Sequence, residues 1–180
     1  VPGRLGLLQG KNKNGRVGAC QGIIFQRGRA EAAVPLLRKA LRSSDLWLRI
    51  KAAEALAAIG KPAQVAVPEL IARLSRKASS KDPRNMEQRY LTFALFSHNK
   101  GLIGKDLEGI DRKALWKAVR ASLLNQDGRA RGAVSSVYRN LSFDQLKPLL
   151  PAILEAITVR APSGIMFAHE IRMAGLELFS

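Results

Sequence analysis

Three stretches of this chain set a proline inside an apolar run of helical spacing: Ala33-Val34-Pro35-Leu36-Leu37, Ala66-Val67-Pro68-Glu69-Leu70 and Leu149-Leu150-Pro151-Ala152-Ile153. The first two prolines lie 33 residues apart, and the third lies 83 further on, roughly two more periods. A second marker keeps the same beat. Arg16, Arg49, Arg89 and Arg131 each stand near the start of a helix of small and aliphatic residues, at intervals of 33, 40 and 42. Periods of this length with two helices in each mean a helical solenoid, because one hairpin cannot bury its apolar face alone and must stack on its neighbours.

The residues around these markers have physical roles in such a stack. Ala52, Ala53 and Ala55 let neighbouring second (B) helices approach, while Leu56 and Ile59 fill the seam. Gly28 and Gly60 are expected to stop their helices in a positive-φ cap. A proline inside a helix costs about 3 kcal/mol if uncompensated, so its recurrence predicts a built-in bend of each first (A) helix. Asp45 and Asp127, four residues before Arg49 and Arg131, are placed to cap the B helix and to pair with that arginine. Arg16, Asp45, Arg49, Arg89, Asp127 and Arg131 are therefore expected to form a structural ladder inside the repeats.

An A helix with proline, a short turn, and Asp-x-x-x-Arg opening a B helix of small and aliphatic residues resembles HEAT repeats. The match is closest from Ala30 to Leu74 and extends at lower fidelity over the chain; Glu87 replaces the aspartate before Arg89, and 164–179 shows no clear arginine slot. The run is also similar to HEAT segments of large bacterial proteins. The resemblance implies an all-α solenoid of about four to five hairpins. The helices are expected at 14–27, then 30–42 with 45–59, 63–77 with 85–98, 111–124 with 128–141, and 145–158 with 164–179. Residues 4–9 are the expected remnant of a first A helix. The whole of 1–180 reads as one array, a fragment of a longer chain, with 99–110 as an inter-repeat loop.

Composition narrows the function. The chain is 47% apolar and only 6% aromatic, which favours close helix-on-helix packing. It has no unbroken apolar run long enough for a membrane span. Its single cysteine, Cys20, sits among small residues and reads as a buried structural thiol. Gly101-Leu102-Ile103-Gly104-Lys105-Asp106 fails as a phosphate loop, since the glycine spacing is short and Asp106 stands where Ser or Thr is needed. His98 and His169 have no partner at metal-ligand spacing. There is no nucleophile elbow and no paired-carboxylate frame. Some HEAT-like folds are DNA glycosylases with an aspartate and aromatic side chains over the lesion; Trp47 and Trp116 are the residues such a likeness would use, but no motif of that group fits here. The expectation is a non-catalytic protein without cofactor or metal.

Two surfaces remain. Counting from each arginine, the outward B-helix positions are Gln21 and Phe25; Lys51 and Glu54; Leu91 and His98; Ser136 and Asn140. This small, mixed and mildly apolar face suits a protein or peptide partner. The second is electrostatic. Thirty Lys and Arg against 14 acids give a net charge of +16, with Arg42, Arg76, Lys77, Lys81, Arg84 and Arg129 at helix ends and in the adjoining turns. In a stack these should form a basic edge, which offers the alternative of weak nucleic-acid or other polyanion binding.

Overall fold

The computed structural model describes residues 2–77, 79–82, 84–97, 101–103, 109–125 and 142–158. Among them there is no β-strand. The helices are α1 (Pro2–Gln9), α2 (Lys13–Gln26), α3 (Val34–Ala40), α4 (Leu46–Ile59), α5 (Val67–Leu74), α6 (Met86–Phe96), α7 (Arg112–Leu123), α8 (Phe143–Leu146) and α9 (Leu150–Thr158). Hairpins form from α1 with α2, α3 with α4, and α5 with α6. The B helices stack as α2 on α4 on α6, and on the other layer α5 packs on α7 and α7 on α9. The expected helices at 128–141 and 164–179 lie outside the described residues.

Helix α4 shows how sequence makes this layer. It is touched by α2, α3 and α6, and Leu48, Ile50, Ala52, Ala53, Ala55, Leu56 and Ile59 are all buried. A helix walled in on several sides loses its one-sided apolar pattern, and alanines let the neighbours come close. Helix α5, packed from one side, keeps the stripe Val67, Leu70, Ile71 and Leu74.

The recurring prolines do not sit in helix interiors. Pro35, Pro68 and Pro151 are each the second residue of α3, α5 and α9, and each helix follows a 3-10 turn: Arg27–Ala33, Lys61–Ala66 and Lys147–Leu149. In a first turn proline removes no helical hydrogen bond. The expected cost of an interior proline therefore does not arise, and the bend is a 3-10-to-α switch just before it. The N-caps of α4 and α7 are aspartates. Asp45 accepts from the Trp47 and Leu48 N–H groups, and Asp111 from those of Lys113 and Ala114.

Gly60 ends α4 with φ 79° and ψ −135°. The corresponding end of α2 corrects the expectation for Gly28, because the positive φ falls one residue earlier, on Arg27, at φ 51° and ψ −137°. This conformation suits glycine and strains any residue with a Cβ. Arg27→Gly is expected to raise stability by about 1 kcal/mol, read as a higher thermal midpoint. A lower midpoint would contradict the strain.

Candidate functional site

The outward side of α2, α4 and α6 encloses a groove of about 830 Å³. Helix α2 contributes Gln21, Ile24 and Phe25, α4 contributes Lys51, Glu54, Ala57 and Ala58, and α6 contributes Tyr90, Phe93 and Ala94, with Ser97 just past its end. Phe25 is 78% exposed, the most solvent-facing of the large apolar side chains described. Tyr90 and Phe93 stand edge to face at 6.2 Å between ring centres. The Arg89 guanidinium lies 5.4 Å and 5.6 Å from those two ring centres, close enough for a cation–π contact with each. At the centre Lys51 and Glu54 form an ion pair at 2.6 Å. The groove thus offers apolar and aromatic walls with a self-neutralised polar centre.

Four expected face residues, Gln21, Phe25, Lys51 and Glu54, meet in this groove. Leu91 does not. It is 1% exposed and belongs to the core. His98, Ser136 and Asn140 lie outside the described residues. The error at Leu91 is one of register. Arg49 donates to the Ser43 and Ser44 carbonyls of its A–B turn, and in α6 the residue that reaches back to its own turn is Gln88, which donates to the Arg76 carbonyl. Gln88, not Arg89, occupies the arginine slot. A helix turns about 100° per residue, so counting from Arg89 swings the expected face into the core.

The ladder is also wired differently from the expectation. Asp45 caps α4 as expected, but its ion-pair partner is Lys13 of α2 at 2.8 Å, not Arg49. Arg49 instead makes a two-pronged bond to Glu87 of the next repeat, Nε to Oε1 and Nη2 to Oε2, both 2.8 Å. Arg73 of α5 binds the same carboxylate. Burial alone would raise the Glu87 pKa, but hydrogen bonds and charge from Arg49 and Arg73 outweigh it and hold the carboxyl below the ordinary glutamate range. Glu87 is free for this because Asp82 caps α6 in its place, accepting from the Met86 and Glu87 N–H groups at 2.9 Å and 2.8 Å. Among the described residues Arg16 of α2 has no equivalent partner, and its Nε is buried there without a hydrogen bond. Asp127 and Arg131 lie outside the described residues.

Polar links between repeats continue from this clamp. Arg38 of α3 pairs with Glu69 of α5. Gln88 accepts from the Asn125 side-chain amide at 2.8 Å, and the Thr92 and Ser122 hydroxyls meet at 2.8 Å in the core.

A second concavity of about 330 Å³ opens beside the clamp, at the A–B turns of the second and third repeats. Three of the expected basic-edge residues, Arg76, Lys77 and Lys81, line it with Arg49, Arg73, Ser44, Ser79, Asp82 and Glu87. Arg42 and Arg84 are exposed but stand outside this lining, and Arg129 is outside the described residues. Trp47 of α4 is 48% exposed and Trp116 of α7 is partly buried against the core; neither lines the groove or the cleft.

Among the described residues no group of three His, Cys, Asp or Glu could hold a metal ion, and no helix is long and apolar enough to cross a membrane. Cys20 is fully buried. Burial pushes its thiol up to about 12, against the smaller opposing effects of a backbone hydrogen bond and the Lys51 charge. The native protein is therefore expected to leave Cys20 unmodified by a thiol reagent that titrates one equivalent in urea. Rapid native labelling would contradict the buried placement.

Residues 1–86 match the family model for HEAT repeats. No curated protein and no solved structure matches the chain. The match assigns HEAT repeats to that segment, and the hairpin stack of the described residues is all-α, as in a HEAT-like solenoid. HEAT repeats generally act as protein-interaction scaffolds and are typically non-catalytic.

Proposed function

We propose that this chain is a non-catalytic interaction scaffold that takes a protein or peptide segment in the groove formed by α2, α4 and α6. The observation that carries the reading is Phe25, 78% exposed on a groove whose far wall is Tyr90 and Phe93. Aromatic side chains left in solvent on a concave surface with a polar centre are the usual anchors of protein recognition. The Lys51–Glu54 pair would set the register of a partner rather than its affinity, because each charge already has its counter-ion.

Peptides selected from a random library on the full chain test this. They should weaken about tenfold or more on Phe25→Asp, a change that leaves the thermal midpoint in place because the side chain is exposed. Lys77→Gln with Lys81→Gln should leave their affinity unchanged. Selected peptides indifferent to Phe25 would overturn the assignment. The basic edge supports a lesser reading, sequence-independent DNA binding that fades by about 0.15 M salt, because no aromatic side chain lines the cleft beside its cations. Micromolar or tighter binding to DNA at that salt, abolished by reversing Arg76, Lys77 and Arg84 to Glu, would invert the ranking.

A further inference from the structure

We propose that the cleft at the A–B turns of the second and third repeats is a site for one phosphate group, either inorganic phosphate or a small phosphomonoester. This goes beyond the groove and does not depend on it.

The cleft holds charge that its own residues do not balance. Five cations and two acids line the cleft, and both acids are already engaged. Glu87 accepts from Arg49 and Arg73. Asp82 accepts two backbone N–H groups at the start of α6. The clamp of two arginines on one carboxylate keeps one positive charge, Asp82 offsets it, and Arg76, Lys77 and Lys81 leave the cleft a net charge of +3, five cations against two acids.

The backbone that carries these cations is fixed. The Arg76 carbonyl accepts from Gln88. The Lys81 N–H donates to Ser79 Oγ, and the Asp82 N–H to the Ser79 carbonyl. With its oxygen accepting from Lys81, the Ser79 hydroxyl keeps its own proton for an incoming oxygen. Three cations lining a concave, partly enclosed space create a stronger local potential than the same charges spread on a convex face.

The occupant is a compact anion and not a polymer track. A phosphate tracker needs cations that continue along a path and faces for bases to stack on. Here Arg42 and Arg84 fall outside the lining, and its one large apolar member is Leu46, not an aromatic. A phosphate dianion answers the excess charge of Arg76, Lys77 and Lys81, and the space leaves room for the organic part of a small phosphomonoester.

The test is a titration of the isotope-labelled full chain with sodium phosphate at low ionic strength, followed by amide chemical shifts. The expected result is saturable shifts at Ser44, Arg76, Lys77, Ser79 and Lys81 in the low-millimolar range, about tenfold weaker in the Lys77→Gln, Lys81→Gln variant. A chloride titration at equal ionic strength separates binding from screening. Phosphoserine is the second arm; tighter binding than inorganic phosphate with the same variant dependence assigns a monoester, and equal binding assigns the free ion. Shifts reproduced by chloride, or unchanged in the variant, would overturn the site. So would a single-stranded oligonucleotide that binds orders of magnitude tighter and depends equally on Arg42 and Arg84, because the surface would then be a nucleic-acid track.

Discussion

Glu87→Gln is expected to cost about 3 kcal/mol of unfolding free energy, because it leaves two largely buried arginines facing a neutral amide. The side chains of Arg49, Glu87 and Arg73 are only 10%, 15% and 18% exposed, so solvent screens them little. Glu69→Gln makes the same chemical change in the Arg38 pair, whose side chains are 39% and 22% exposed, and should cost about 1 kcal/mol or less. The pH dependence follows from the lowered Glu87 pKa. A carboxyl whose folded value lies below its unfolded value, about 4.3, contributes its stability in full above that unfolded value. The contribution is lost as pH falls through the folded value. Urea unfolding of wild type and Glu87→Gln should therefore differ by a constant amount at neutral pH, with the gap closing under acid. A gap as wide in strong acid as at pH 7, or a cost no larger than that of Glu69→Gln, would remove the clamp from any account of stability.

Gly101→Ala is expected to cost about 2–4 kcal/mol, through backbone rather than side-chain conflict. A Cβ there would run into the Leu95 carbonyl oxygen and stand 2.8 Å from both the Leu95 carbonyl carbon and the Ser97 nitrogen. The close approach exists because residues 101–103 fold back onto the end of α6. The Gly101, Leu102 and Ile103 N–H groups donate to the Ser97, Ala94 and Leu95 carbonyls. Leu102 and Ile103 are buried, so this part of the expected 99–110 loop is packed structure. Gly60→Ala makes a useful contrast. It meets open space at φ +79° and should cost about 1 kcal/mol from conformation alone. Amide exchange at Leu102 and Ile103 should quicken in Gly101→Ala and not in Gly60→Ala. A smaller cost at Gly101 than at Gly60 would contradict the close approach.

The pairing of helices was legible because it rests on periodicity, which a linear sequence carries without loss. Gln21 and Phe25 could be matched with Lys51 and Glu54 because α2 and α4 repeat at one spacing, arginine to arginine. That reasoning broke at α6, where Gln88 fills the slot and an arginine stands next to it. A single residue of misregister was enough to put Leu91 on the surface and to hide Tyr90 and Phe93. The capping role of Asp45 was readable because a cap is local. The partner of Arg49 was not, since the acid comes from the neighbouring repeat, 38 residues away, and no local spacing rule reaches across a hairpin. Glu87 stood in place of the expected aspartate, and the cap of that helix comes from Asp82, in the preceding turn.

The direction of these pairings bears on how the array can be divided. Lys13 with Asp45, Arg38 with Glu69, Arg49 with Glu87 and Arg120 with Glu155 each join one repeat to the next. A solenoid is commonly treated as units with their own stabilities plus a term for each junction. Here four of the described ion pairs lie at the junctions, against two inside single repeats, Lys51 with Glu54 and Arg73 with Glu87. Cut between α4 and α5, the upstream piece keeps Arg38 and Arg49 without their carboxylates; the downstream piece keeps Glu69 without its guanidinium, beside a Glu87 that retains only Arg73. Neither fragment inherits a neutral set of side chains at that cut, so a repeat of this chain is a unit of sequence without being a unit of electrostatics.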